Sequence, residues 1–432
     1  MIEIDPRGKM VRKALLVGAY RPQEDRAAAE GLLGELEELV DTLGIPERFR
    51  LLVPCREMHA RFLLGSGKAE ELALQVKAEG YDSLIFDNEL TPSQQRNWET
   101  LTGITVLDRQ EVILDIFAQR AQTHEARLQI DLARLEYALP RLTRAWGHLV
   151  RQGGGIGAKG EGESQLEQDK RRVRVAIGRL KAELEKVRSA RSTQRKDRKR
   201  APVPNAAIVG YTNAGKSSLL KRLTGADVLV EDRLFATLDT TTRRVQLPNN
   251  QPLLLTDTVG FVRRLPHRLV EAFHATLEES VLSDFLVHVL DASQPDVLEF
   301  YETTLRVLNE LGAEQKDTIL VFNKVDRLTD ESVLGPLRAR FPEAHFVSVH
   351  TGRGLESLLE HMAEKVSSAA LVCSLCIPLS DGASLAKLHR AANILEMEYE
   401  PEGVRVTATL SPRMRAEFGK YLIGEEAKNS PS

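Results

Sequence analysis

The segment Gly210-Tyr211-Thr212-Asn213-Ala214-Gly215-Lys216-Ser217 spaces two glycines, a lysine and a hydroxyl as G-x-x-x-x-G-K-S. The apolar run Ala206–Val209 precedes it, and a helix-forming stretch opening at Ser218 follows. Glycines let the backbone wrap a phosphate, so that successive N–H groups and the helix N-terminus face the anion. In a strand–turn–helix setting, Lys216 is placed to reach β- and γ-phosphates and Ser217 to ligate a Mg²⁺ between them. A chance match in a Gly-rich loop would lack the flanking strand and helix.

A second motif selects the base. Asn323-Lys324-Val325-Asp326 follows the apolar run Thr318–Phe322. At a strand end, the Asp326 carboxylate can accept from the ring N–H and exocyclic amine of guanine. Adenine offers no such pair, and a site built to bond a group rejects its absence strongly. Asn323 would brace the loop, and the Lys324 stem would cover the base face. Ser348-Val349-His350 closes another strand, and its backbone amides could meet the guanine carbonyl. The expected ligand is GTP or GDP.

Between these motifs, the strand Leu253–Thr256 runs into Asp257-Thr258-Val259-Gly260, a D-x-x-G pattern that senses hydrolysis. Asp257 would hold Mg²⁺ through water, and the Gly260 N–H would touch the γ-phosphate. Upstream, Phe235-Ala236-Thr237-Leu238-Asp239 reads as the first switch loop, with Thr237 the candidate second metal hydroxyl and Thr240, Thr241 and Thr242 its competitors. Lys216, Thr237 and Gly260 are thus the candidate catalytic groups, and Ser217 and Thr237 the metal ligands. Many GTPases place a water-orienting Gln directly after D-x-x-G. Here that position holds Phe261, whose ring cannot orient a water, so hydrolysis by the isolated protein is expected to be slow and completed by a partner. His267 or a backbone group could contribute. Asn213 could support a K⁺ near the phosphates or serve only as a turn residue that tolerates left-handed φ.

The chain has 432 residues, 42% hydrophobic and 28% charged, which suits several soluble domains. Its three cysteines imply no disulfide framework, and Cys373-x-x-Cys376 lies in an apolar run that reads as strand packing rather than a metal site. No apolar segment reaches ~18 residues and no signal-peptide core is present, so the composition predicts a cytoplasmic protein, expected to be a monomer; peripheral membrane association stays open, with nothing in the sequence to support it.

Residues 1–120 alternate strand and helix signals and predict a separate α/β domain. There, Gly65-Ser66-Gly67-Lys68 opens a helix and is too short to be a phosphate loop. In 121–200, Leu128, Leu132, Leu135, Leu139, Leu142 and Trp146 form one coiled-coil seam, with Pro140 expected to kink or end it. Val173, Ile177, Leu180, Leu184 and Val187 form another, which predicts an antiparallel helical hairpin around a Gly-rich tip. From Arg141 to Arg200, eighteen Lys and Arg face seven Asp and Glu, a local +11 in a chain of net −3. Such a field is the footprint of nucleic acid, and glycines with cations suit shape-led RNA contact rather than DNA groove reading. Residues 203–368 are the nucleotide domain. Residues 370–427 read as a small α+β domain with a hairpin, a last helix over Arg413–Leu422 and a disordered end from Gly424.

The set GYTNAGKS, FATLD, DTVGF and NKVD, together with ILDIFAQRAQTHEARLQ (113–129) and GGGIGAKGEGESQLEQDKR (153–171), resembles the HflX-type GTPases over nearly the full chain. The resemblance implies an N-terminal α/β domain, a helical linker, a P-loop GTPase domain with a hydrophobic residue in place of the catalytic Gln, and a small C-terminal domain. It also implies binding to the large ribosomal subunit, with the Gly-rich tip entering near the peptidyl transferase centre and stalled ribosomes split under stress. Family tips commonly read G-P-G-E-T, where this chain has Gly160-Glu161-Gly162-Glu163-Ser164. The usual Ser-Ala of the guanine-carbonyl loop is Ser348-Val349. The alternative is a GTP-occupancy switch that acts through a protein partner, with hydrolysis incidental.

Overall fold

The structure is a computed structural model that describes residues 11–142, 165–198, 203–225, 234–264, 279–368, 371–410 and 412–426. The Gly-rich tip, Trp146 and His267 lie outside these residues. The chain divides into two compact units. The first holds the chain up to Val187, with two short excursions at 233–235 and 263–273; the second holds the remainder.

In the first unit, β1 (Lys13–Tyr20), β2 (Glu47–Pro54), β3 (Ser83–Phe86) and β4 (Thr105–Asp108) form a parallel sheet in the order β2-β1-β3-β4. Helices α1 (Arg26–Thr42), α2 (Ser66–Glu79), α3 (Pro92–Thr102) and α4 (Arg109–Arg120) follow the strands in turn. The apolar runs of β1 and β3 are buried along their length because helices cover both faces of a parallel sheet. Thr91 caps α3 in a reciprocal box with Gln94, and Pro92 supplies the first helical residue. Trp98, on α3, is fully buried against Phe62 and Phe86, and its indole N–H donates to the Phe62 carbonyl at 2.8 Å.

Helix α5 (His124–Arg141) runs through Pro140 and stops one residue later, because a proline near the end removes little of the hydrogen-bond ladder. Its most buried stripe is Ala126, Ile130, Ala133 and Tyr137, while the seam residues Leu132, Leu135 and Leu139 are half-buried. The seam is buried at its start, Leu128, and half-buried from Leu132 onwards. Arg141 anchors the helix end by stacking its guanidinium 3.4 Å from the Tyr137 ring centre and by donating to the Leu90 carbonyl and to Gln95. The long helix α6 (Gln165–Arg198) turns Val173, Ile177, Leu180, Leu184 and Val187 inward, and Lys181–Glu136 and His124–Glu183 tie it to α5.

In the second unit, β5 (Asn205–Gly210), β6 (Thr241–Gln246), β7 (Pro252–Asp257), β8 (Phe285–Asp291), β9 (Thr318–Asn323) and β10 (His345–Phe346) form a sheet ordered β10-β9-β8-β5-β7-β6. Pairing is parallel except between β6 and β7. Helix α7 (Lys216–Thr224) follows β5, and α8 (Val297–Glu310), α9 (Leu334–Arg340) and α10 (Leu355–Ser368) follow in order.

The C-terminal residues fold as β11 (Leu371–Ile377), α11 (Gly382–Ala391), β12 (Asn393–Glu400), β13 (Gly403–Leu410), α12 (Pro412–Phe418) and β14 (Leu422–Glu426). The antiparallel order β12-β13-β11-β14 is the split β-α-β arrangement. The last α-helix ends at Phe418 and a 3-10 turn over Gly419–Tyr421 carries it to one residue short of Leu422, while Gly424–Glu426 pair with β11 rather than forming a disordered end, because Leu422 starts a strand that closes the sheet. Cys373 is buried in the core of this sheet and Cys376 is half-buried, three positions along a strand and so on opposite faces.

Truncating Trp98 to Ala should destabilise the first unit by roughly 3–5 kcal/mol. Urea denaturation followed by circular dichroism should then show an early transition absent from the unaltered protein; coincident curves would contradict the packing described.

Candidate functional site

Strand β5 delivers the chain to the loop Gly210–Ser217, and α7 carries it away. The loop needs unusual backbone angles. Gly210 has φ 141° and Gly215 φ 96°, and a side chain on Gly210 would run into the carbonyl of Val289, so glycine is required there. Asn213 adopts φ 57°, the left-handed turn geometry expected of asparagine. Tyr211 stacks on Phe300 of α8 at 4.1 Å, while Ala214 is buried.

The Lys216 ammonium is buried and donates to the Tyr211 carbonyl at 2.7 Å, curling back over the loop. Burial pulls its pKa down to about 8, with nearby Asp257 opposing the shift and Lys324 adding to it. Three oxygens converge beside it. Ser217 Oγ lies 2.6 Å from Asp257 Oδ2 and 2.7 Å from Thr237 Oγ1, and Thr237 Oγ1 donates to the same carboxylate oxygen at 2.9 Å. The other Asp257 oxygen is buried without a partner. Burial raises the Asp257 pKa, while Lys216 and the two hydroxyls pull it back. Two hydroxyls and a carboxylate with a spare lone pair are the hard oxygen donors that suit Mg²⁺, so the residues present fit that ion. Among the competing threonines, Thr241 and Thr242 begin β6, and Thr242 bonds Thr256 at 2.9 Å; Thr237 is the one beside Ser217.

Thr258 fixes the D-x-x-G turn by donating to the Ile208 carbonyl at 2.7 Å. Gly260 then passes so close to the loop that an added Cβ would lie 2.8 Å from Lys216 Nζ and from Thr212. Phe261 forms a parallel bridge with Tyr211: its N–H donates to the Gly210 carbonyl, and its carbonyl accepts from the Thr212 N–H at 2.8 Å. The phenyl ring is buried and offers no polar atom, and Val259 and Leu238 are also buried. Phe235 belongs to the first unit, where its ring meets Phe117 edge-on at 4.5 Å with φ 56°. Ala236 and Asp239 flank Thr237 and Leu238 in the second unit.

On the base side, the Asn323 amide donates to the Ala214 carbonyl at 2.9 Å, and its oxygen accepts from the Val349 N–H at 3.1 Å. Lys324 takes φ 64° and pairs with Asp291 at 2.7 Å, and Ser293 in turn bonds Asp291. Asp291 and Ser293 were not marked by sequence reasoning; the only local signal is a strand ending in L-D-A-S. Ser348 is fully buried. Its hydroxyl bonds Asp326, which is the first cause of a lowered Asp326 pKa, with His350 and Arg327 assisting. The Val325 N–H donates to the Val347 carbonyl, fastening the two base loops together. These elements surround a cleft of about 850 Å³ lined by Asn213, Ser218, Lys324, Asp326, Val349 and His350. The cleft joins the Gly210–Ser217 loop to the Asp326 carboxylate.

Phosphate beside Lys216 restores the charge that burial suppresses, so the nucleotide-bound pKa exceeds the free value of about 8. Nucleotide binding should take up protons in mildly alkaline solution, and affinity should fall as pH rises from about 8 towards about 10. Calorimetry of GDP binding in buffers of different ionisation enthalpy reads this directly; no proton uptake would contradict it. Asp326→Asn exchanges a double acceptor for an amide that can donate to a base carbonyl. GTP affinity should drop by about 10²-fold or more while xanthosine triphosphate binds instead, in competition assays with both nucleotides.

Three family models match in succession: "GTP-binding GTPase N-terminal" over residues 30–118, "GTP-binding GTPase Middle Region" over 120–198 and "50S ribosome-binding GTPase" over 205–324. A GTPase HflX from Akkermansia muciniphila is 50% identical over 95% of this chain and 97% of its own. The GTPase HflX of Escherichia coli K12 is 42% identical over 96% of each chain. A crystal structure of a GTP-binding protein from Sulfolobus solfataricus in complex with GDP aligns with TM-score 0.44 at 24% identity, covering 82% of this chain and 98% of that one. With that cleft and full-length likeness at these identities, the chain belongs to the HflX family of GTPases, proteins that bind and hydrolyse GTP.

Proposed function

We propose that this GTPase works on the large ribosomal subunit, as a Mg²⁺-dependent switch in the cytoplasm that splits or recycles stalled ribosomes under stress. The observation that carries the reading is the local charge. Residues 141–200 hold +11 in a chain of net −3, on a segment dominated by one 34-residue helix, α6. Along α6, Arg171, Arg172, Arg174, Arg179 and Lys181 are exposed, a solvated basic face of the kind that displaces counterions from RNA. A nucleotide-domain match described as a 50S ribosome-binding GTPase points the same way. We divide the chain into an α/β domain (1–120), an RNA-docking hairpin (121–200), the GTPase domain (203–368) and a C-terminal domain (370–427).

In this reading Gly210–Ser218 hold the phosphates, Ser217 and Thr237 ligate Mg²⁺, and the Gly260 N–H senses the γ-phosphate. Asn323–Asp326 and Ser348–His350 hold the guanine. When bound, Mg²⁺ neutralises charge on the β- and γ-phosphates. Phe261 leaves the attacking water unguided, so the ribosome completes the site.

The second reading, a GTP-occupancy signal with incidental turnover, rests on the same buried Phe261. Hydrolysis measured with purified large subunits, small subunits or no addition separates the two. Large subunits alone should raise the rate by at least about tenfold, the scale on which a supplied transition-state group acts. Equal rates in all three reactions would favour the occupancy signal.

A further inference from the structure

The loop that follows β5 carries a hydroxyl with no work to do inside the fold. Thr212 is 6% exposed, and its Oγ1 is enclosed with no hydrogen-bond partner among the described residues. The neighbouring hydroxyls are all engaged: Ser217 and Thr237 on the Asp257 carboxylate, and Thr258 on the Ile208 carbonyl. Buried hydroxyls are nearly always bonded, because an unbonded one is costly. The surroundings of Thr212 say which partner it could take. Its N–H donates to the Phe261 carbonyl at 2.8 Å, where the loop and the D-x-x-G turn are bridged. Gly260 lies against both Thr212 and Lys216: an added Cβ there would come within 2.8 Å of Thr212 Cα and Cγ2 and of Lys216 Nζ. Thr212 thus adjoins the position where many GTPases carry a water-orienting Gln and this chain carries a buried phenyl ring. All of these residues belong to the second unit.

On the reading that Gly210–Ser218 hold the phosphates, we propose that Thr212 is a catalytic residue of GTP hydrolysis, its hydroxyl accepting a hydrogen bond from the attacking water and aiming it at the γ-phosphorus. A hydroxyl has two acceptor lone pairs, so it can do for a water what a Gln side-chain oxygen does elsewhere. In the step, the water oxygen bonds the γ-phosphorus while the bond to the β–γ bridging oxygen breaks. That oxygen leaves on GDP with the electron pair, and the water proton passes to a γ-phosphate oxygen. The Thr212 hydroxyl keeps its own proton throughout. Its χ1 is stiff because the residue is β-branched, which helps to hold the oxygen in one place. One hydroxyl on a short side chain still guides a water less firmly than a Gln amide, so a partner has room to accelerate the reaction.

The test is single-turnover GTP hydrolysis by the full-length protein without ribosomes, with GDP and guanylyl imidodiphosphate affinities and thermal unfolding measured alongside. Thr212→Val, nearly the same shape without the hydroxyl, should lower the hydrolysis rate by about tenfold or more, the scale on which one preorganised group acts. Both affinities should stay as they were, since the contact is made to the water and not to the nucleotide. The melting temperature should not fall, because the lost hydroxyl had no partner in the fold. Thr212→Ser, which keeps the hydroxyl, should retain most of the rate. An unchanged rate in Thr212→Val with GDP binding intact overturns the proposal. So do equal losses in the Val and Ser variants, or a lost rate that travels with lost GDP affinity or a lower melting temperature. If Thr212→Val fails to fold, Thr212→Ala takes its place in the same comparison with Thr212→Ser. Failure of the unaltered protein to bind GDP would instead defeat the nucleotide-site reading itself.

Discussion

One side-chain amide holds the nucleotide cleft in register. Asn323 donates to the carbonyl of Ala214 in the phosphate loop and accepts from the Val349 N–H in the loop beside the guanine carboxylate. Those segments lie more than a hundred residues apart in sequence, and this one amide ties them together. A primary amide suits the position because it carries a donor and an acceptor on one planar group. An aspartate would offer only acceptors, and the Ala214 carbonyl would lose its donor. The amide also packs so near Gly215 that no side chain could be tolerated there. The two motifs therefore constrain each other: glycine in one makes room for asparagine in the other.

The same economy appears at three converging oxygens. Ser217, Thr237 and Asp257 come from a helix start, a loop and a strand end, and they meet around one carboxylate oxygen. A buried carboxylate is costly unless its charge is met. Lys216 and the two hydroxyls meet part of that cost, and the spare oxygen leaves capacity for a cation. The cluster is thus preformed while one carboxylate oxygen remains short of full satisfaction.

Much of this was legible along the chain. The alternation of apolar runs with helical spacing made the α/β character of the first 120 residues legible, because parallel strands buried on both faces are near-continuously apolar. The phosphate and guanine motifs carried their own spacing. Local pattern offers Thr237 as the candidate hydroxyl with Thr240, Thr241 and Thr242 as competitors, and its proximity to Ser217 sets it apart from the two that begin β6. Asp291 was silent for a similar reason: its partner, Lys324, stands just past the end of the neighbouring strand β9. The cluster around Arg109 was invisible, because Glu35, Asp87 and Arg263 lie on three distant segments and each alone resembles a solvated surface charge. On α5 the seam was read correctly as apolar, yet the more buried stripe begins at small residues, Ala126 and Ala133, which carry little hydropathic signal. The strand at Leu422–Glu426 was missed because two glutamates and a glycine outweigh its apolar start.

The C-terminal sheet closes with β12 as an edge strand, and that strand is unusually acidic. Glu396 and Glu398 are exposed, and Glu400 ends the strand in an ion pair with Arg405. An open edge presents unpaired N–H and carbonyl groups to any other extended chain. Stacking a second copy of β12 alongside the first would set rows of carboxylates against one another. Like charges directly across a strand pair repel. Self-association along this edge, beside the exposed Leu395 and Tyr399, would thus meet charge repulsion.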